Sequence, residues 1–226
     1  MAFTKGKRLT VLALPATLII LYFVTPRLIA LPLLLITWYA VFSPWNSSDL
    51  VLFFLASTFF LFQDYVSLKQ GIFEFRFKDV LGMPYYEPFL WGFYFMSLKR
   101  FLQNDLHEIR HVGKRAIIGL LATSMAFSLV PNNSRHLTYA AMGSTALLFI
   151  LFHERFDIYF ALSALLLGTV IEIFGVSTGQ WSYPQPDFGG LPFWYAAMWI
   201  SVGLLGRRFM IPLANSIADK WGRYRQ

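Results

Sequence analysis

The sequence predicts an all-α, polytopic integral membrane protein with about eight transmembrane helices, arranged as two parallel four-helix repeats. Three observations carry this. Of the 226 residues, 57% are apolar and only 14% charged, with a mean hydropathy of +0.54. A soluble domain carries about a quarter charged residues, so this chain is too poor in charge to cover a water-facing surface. The apolar residues gather into eight runs near the length that a bilayer core requires. Finally, the chain aligns with itself at a fixed offset of 108 residues, which places Gly71 on Gly179 and Trp91 on Trp199.

The same composition excludes a soluble enzyme, a disordered tail and a nucleic-acid-binding domain. The net charge of +7 fits the cytoplasmic loops of a membrane protein. The absence of cysteine excludes disulfide scaffolds, thiol catalysis and Cys-ligated metals. Aromatic residues reach 19%, more than interfacial belts alone would need.

The runs cover roughly 9–24, 28–43, 50–67, 85–98, 116–131, 138–152, 156–174 and 191–206. Turn and polar residues separate them: Thr25-Pro26-Arg27, Ser43-Pro44-Trp45-Asn46, Pro131-Asn132-Asn133 and His153-Glu154-Arg155. The first run follows Lys5, Lys7 and Arg8 in the manner of a signal peptide. Its counterpart at 116–131 argues instead for an uncleaved first helix. With eight crossings and a cytoplasmic N-terminus, fourteen Lys and Arg fall inside and five outside: Arg27, Lys69, Arg76, Lys78 and Arg135. That bias puts both termini in the cytoplasm.

The internal match is densest over residues 64–101, where seven of 38 positions are identical to their partners 108 residues on. Composition alone would give roughly two or three. The chain therefore divides into a first four-helix repeat, 1–114, and a second, 115–226. Four crossings per unit make the repeats parallel, related by an axis along the membrane normal. The second unit ends in an amphipathic stretch with Met210, Leu213, Ile217 and Trp221 on one side, expected to lie along the inner membrane surface.

The unusual residues cluster around the two outside loops, 68–84 and 175–190. Asp64 and Glu172 end apolar runs, and an ionisable group inside a span is a functional-site hypothesis by default. The bland alternative is that each carboxylate caps neighbouring Arg, Tyr or Trp donors. A Gly-aromatic-polar-aromatic pattern follows in each half, carrying Phe73 and Phe75 in one and Trp181 and Tyr183 in the other. Each loop holds an aspartate (Asp79, Asp187) and then a Gly-x-Pro that opens an aromatic helix, with Tyr86 and Trp91 in the first copy and Trp194 and Trp199 in the second. An interfacial belt explains part of this aromatic content. The functional reading is a cleft between the units, walled by these aromatic residues together with Asp187 and rimmed by carboxylates. A partly desolvated carboxylic acid can donate a proton, and aromatic faces stabilise developing positive charge.

The series acidic residue, Gly, x, aromatic, x, aromatic, then Gly-x-Pro-x-x-Glu resembles the membrane lycopene cyclases of bacteria and fungi. Asp64, Gly71, Phe73, Phe75, Gly82, Pro84 and Glu87 carry it. The stretch EIFGVSTGQWSYP is similar to a segment of carotenoid hydratases. The resemblance implies an enzyme of the isomerase or hydratase type, in the service of carotenoid biosynthesis. Glu87 would be its proton donor, with Asp64 and Glu172 tuning it or receiving the proton. Tyr86 stands where the first acid of the cyclase pair would be, and Trp194 and Tyr195 replace both in the second copy.

A competing motif is His107-Glu108-Ile109-Arg110-His111, the spacing that puts two imidazoles on one helix face with Glu as base. His153 could supply a third metal ligand. Against it, the motif sits in an amphipathic stretch, where its polar face is expected to be solvated.

The leading expectation is thus an integral membrane enzyme acting on a long apolar lipid or isoprenoid, with no soluble cofactor. The first alternative is a hydrophobic-ligand binding or transport protein. The second is a zinc-dependent membrane protease using His107, Glu108 and His111. The expected partners are the lipid bilayer and a lipid substrate, without nucleic acid, and the oligomeric state stays open. The expected location is a bacterial inner (plasma) membrane.

Overall fold

The computed structural model describes residues 5–25, 27–102, 109, 112–130 and 133–223, with side chains from Thr10 to Trp221. The helices are α1 (Lys5–Phe23), α2 (Arg27–Phe42), α3 (Ser47–Lys69), α4 (Glu87–Leu102), α5 (Lys114–Leu129), α6 (Ser134–Leu151), α7 (Arg155–Ser177), α8 (Trp194–Leu205) and α9 (Ile211–Arg223). A single π-helical turn, Gly206–Met210, joins α8 to α9. By length and apolarity, Ser47–Lys69, Arg155–Ser177 and Trp194–Trp221 can each cross a membrane. The apolar α2 has 16 residues, about 24 Å of helix, which is short for a bilayer core of about 30 Å.

Sequence spacing explains how the helices face one another. In α2 the buried residues Ala30, Leu34, Trp38 and Phe42 follow one another every four positions, a single inward stripe. That stripe meets α1, where the Trp38 indole N–H donates to Thr17 Oγ1 at 2.8 Å. The hydroxyl of Thr17 in turn donates to the Ala13 carbonyl, so no polar atom of this small network is left bare in an apolar bundle. In the second half, Leu137, Ala141, Ser144 and Leu148 form the matching stripe of α6.

At one end of the bundle, each half is tied by a buried ion-pair cluster. Asp49, at the third position of α3, caps that helix through Asn46 and accepts from Lys99 Nζ at 2.8 Å and from Arg100. Asp157, at the matching position of α7, pairs with Arg207 and with Arg208 Nη2 at 2.6 Å. The carboxylates also face a helix N-terminus, where negative charge is favoured. Outside the span, hydrogen bonding from Arg208 holds the Glu154 carboxyl below its ordinary range. Four of the cations counted as loop charges from sequence are therefore engaged by buried acids.

At the other end, the two loops pair with each other. Strands β1 (Glu74–Phe75) and β2 (Trp181–Ser182) are antiparallel, with Phe75 opposite Trp181. These strands correct the purely helical expectation, and two residues are too short for any periodicity to betray. Each loop also folds over itself, by the bridge Val80–Met83 in one and Phe188–Leu191 in the other.

The end of the chain is tied into the bundle. Beyond its expected amphipathic character, α9 continues from α8 through the π turn and packs on α3, with Met210 of the turn and Ile211, Ala214 and Ala218 of α9 buried in the main core. Ser48 and Asn215 hydrogen-bond across this contact.

Close approach of α7 and α8 depends on Gly168. A Cβ there would overlap the Trp199 indole, and overpacking of a filled core costs about 1–3 kcal/mol. Gly168→Ala is expected to lower stability by that amount, seen as a lower thermal unfolding midpoint in detergent. An unchanged midpoint would mean that Trp199 has room to move.

Candidate functional site

The C-terminal turns of α3 and α7, the N-terminal half of α4, the length of α8 with Met210 beyond it, the middle of α5 and the paired loops enclose a partly open cavity of about 110 Å³. Local sequence dictates how the loops reach it. Gly71 and Gly179 follow α3 and α7 with φ of 69° and 66°, and Gly82 and Gly190 precede the next helices with φ of 85° and 83°. Only glycine takes such values readily. These residues turn the chain twice and bring Phe73, Phe75, Trp181 and Tyr183 to the cavity, while Phe188 stays exposed.

All three predicted acids line the cavity, and each is more than nine-tenths buried: Asp64, Glu87 and Glu172 are 9%, 7% and 5% exposed. Their partners are neutral. The Trp91 indole N–H donates to Asp64 Oδ2 at 2.7 Å. Glu172 accepts from Trp181 at 3.0 Å, from the Tyr183 hydroxyl at 2.7 Å and from Trp199 at 3.2 Å. Glu87 Oε2 has no hydrogen-bond partner. Trp91 and Trp199, which occupy matching positions in the two halves, stack with ring centroids 5.2 Å apart. The acid–indole pairs thus meet back to back between the halves.

Phe73, Phe75, Trp181, Tyr183 and Trp194 also line the cavity. Two residues do not. Tyr86 is buried beside it, where its hydroxyl donates to Gln180 Oε1 at 3.1 Å while Gln180 donates to the Leu21 carbonyl. Asp187 is exposed and braces its own loop, accepting from Ser134 Oγ at 2.9 Å and from the Phe193 amide at 2.8 Å. A loop aspartate that caps nearby donors looks the same in sequence as one that faces a cleft.

Sequence reasoning missed the neutral polar lining: Gln63 and Ser67 from α3, Thr123 and Ser124 from α5, and Ser201 from α8. Gln63 Nε2 and Thr123 Oγ1 have no partner. The available signal was a polar side chain within an apolar run, but most such residues bond their own backbone. Thr169 does so, donating to the Leu165 carbonyl at 2.8 Å. Phe59 and Gln63 on α3, with Leu120, Thr123 and Ser124 on α5, are only half-buried. The cavity is therefore reached between these two helices.

His107, Glu108 and His111 lie outside the described residues. His153 is exposed in the turn before α7. Among the described residues, no group of three His, Cys, Asp or Glu side chains is placed to hold a metal ion.

No family model and no curated protein matches the chain. Two solved structures share its fold. One is the crystal structure of a mycobacterial Insig homologue, MvINS from Mycobacterium vanbaalenii, with a TM-score of 0.63 and 19% identity, over 76% of this chain and 95% of that one. The other is a cross-linked trimer of a cysteine variant of MvINS, with a TM-score of 0.63 and 21% identity, over 75% of this chain and 95% of that one. This overturns the resemblance to lycopene cyclases and carotenoid hydratases, and with it the isoprenoid-transforming enzyme, the isomerase and the place in carotenoid biosynthesis. The motif that suggested them records backbone shape: two left-handed glycines and a proline-led helix, which any chain turning in this way requires. The fold is that of an Insig-like polytopic membrane protein.

Proposed function

We propose that the chain is a hydrophobic-ligand binding protein of the membrane, which receives one end of an apolar lipid between α3 and α5. The observation that carries this is Glu87. Its Oε2 is buried with no partner among the described residues, in a cavity rich in aromatic rings. A buried acceptor left unmatched is costly, and a ligand's polar group supplies the match. The volume bounds the occupant. An apolar cavity of about 150 Å³ holds one benzene-sized molecule, so about 110 Å³ takes a headgroup or chain end. The rest of the ligand runs out past Phe59 and Leu120 into the bilayer.

In this reading Asp64, Glu87 and Glu172 bind the polar end rather than transform it, and the aromatic residues are its walls. The halves divide near residue 114, and both termini face the cytoplasm of an inner membrane, as the Lys and Arg bias supports. A trimer is the expected assembly, by analogy with the cross-linked MvINS trimer.

The test is mass spectrometry of the lipid that copurifies with the protein in mild detergent. One apolar species should be enriched over the bulk membrane. In Ser124→Trp, where a large ring fills the mouth of the cavity, that enrichment should fall at least tenfold while the melting midpoint holds. Lipid at bulk proportions in both proteins would refute the reading.

A further inference from the structure

The lining of the cavity is chemically one-sided. Among the described residues it holds three buried carboxyl groups and no Lys, Arg or His. The basic clusters of the bundle bind their own acids at the far end from the three carboxyl groups, with Arg207 held by Asp157 between the lining residues Leu205 and Met210. Asp49, which binds Lys99 and Arg100, lies fifteen residues before Asp64 on α3, about 22 Å along the helix. The donors that do reach the acids are indoles and a phenol, which neutralise no charge, and Glu87 Oε2 lacks even those. An ionised carboxylate in such surroundings needs a counter-charge. Trp91, Trp181, Trp194 and Trp199 line the same space, and indole faces attract cations most strongly among the aromatic side chains.

We infer that the cavity selects a lipid whose polar end is cationic: an ammonium group, primary or methylated, on an apolar chain. The ammonium supplies the charge that the three acids lack, and about 110 Å³ admits such a head while the chain remains outside. This inference rests on the reading of the cavity as a lipid site. It adds the sign of the ligand's charge, which a bare hydrophobic pocket would not specify.

The experiment measures saturable binding of tritiated hexadecyltrimethylammonium to the full chain in phosphatidylglycerol nanodiscs, with empty discs as background. Hexadecan-1-ol and hexadecylamine serve as competitors. The amine should displace the probe at least tenfold better than the alcohol. Glu87→Gln should weaken probe binding at least tenfold and competition by the alcohol much less, since the glutamine carbonyl still accepts from a hydroxyl. Asp64→Asn serves as a second variant, with monodispersity checked for each. Displacement by dioleoylphosphatidylcholine as well as by hexadecylamine would keep the inference and identify a zwitterionic headgroup as one source of the ammonium. An alcohol that competes as well as the amine, or an equal loss of both in Glu87→Gln, would overturn the cationic preference and leave the lipid site standing. No saturable binding of any probe would overturn both.

Discussion

Asp157→Ala is expected to cost about 3–5 kcal/mol of stability, the usual penalty for removing one partner of a buried ion pair. Asp157 and Arg207 are 0% and 1% exposed at their side chains, and Arg208 shares the same carboxylate. The alanine takes from two guanidinium groups, one fully buried and one largely so, the carboxylate they share. Only Glu154, 60% exposed, remains to receive them. The loss should appear as a lower thermal midpoint in detergent, with α8 and the π turn the first region to gain hydrogen exchange. Asp49→Ala should fall at the lower end of the range, because Arg100 is 22% exposed and can turn to solvent. Glu74→Ala, which removes the exposed pair with Lys78, should be nearly silent. Equal midpoints for Asp157→Ala and Glu74→Ala would show that the cluster is not a structural tie.

Glu172→Ala should be nearly as damaging, by another route. It strips the acceptor from Trp181, Tyr183 and Trp199 together. Each buried donor left unsatisfied costs about 1–3 kcal/mol. Because Trp181 belongs to β2, the pairing of the two loops should loosen with it. The expected signature is a red shift and broadening of tryptophan emission, together with a lower midpoint. Glu172→Gln keeps one carbonyl acceptor and should recover most of the loss. A normal emission spectrum for the alanine variant would mean that loop pairing alone positions Trp181.

Much of the architecture was legible in the order of residues, because hydropathy and turn chemistry act locally. The runs at 50–67 and 156–174 became α3 and α7, extended by a few residues at each end. The acids Asp64 and Glu172 stood out because charge within an apolar run is costly wherever the chain goes. Other features could not be read. Gln63 and Thr123 were invisible, since a neutral polar residue in a span is as often satisfied by its own helix, as Thr17 is. Asp187 was misread because its donors, Ser134 and Phe193, come from a different helix and from its own loop. The motif read as cyclase chemistry was a turn geometry, since glycine and proline report φ angles rather than reactions.

Composition, periodicity and the 108-residue repeat were enough to establish a membrane-spanning helical bundle built twice over, with acids near one end. Hydrophobic burial and backbone constraint need only neighbours in sequence to be read. Tertiary contact decided the rest: that Trp91 and Trp199 meet face to face, that the acids share one cavity whose described lining has no basic residue, and that Glu87, unlike Asp64 and Glu172, keeps a buried oxygen with no partner among the described residues. Those facts depend on groups far apart in the chain, whose energies exist only once the helices have packed.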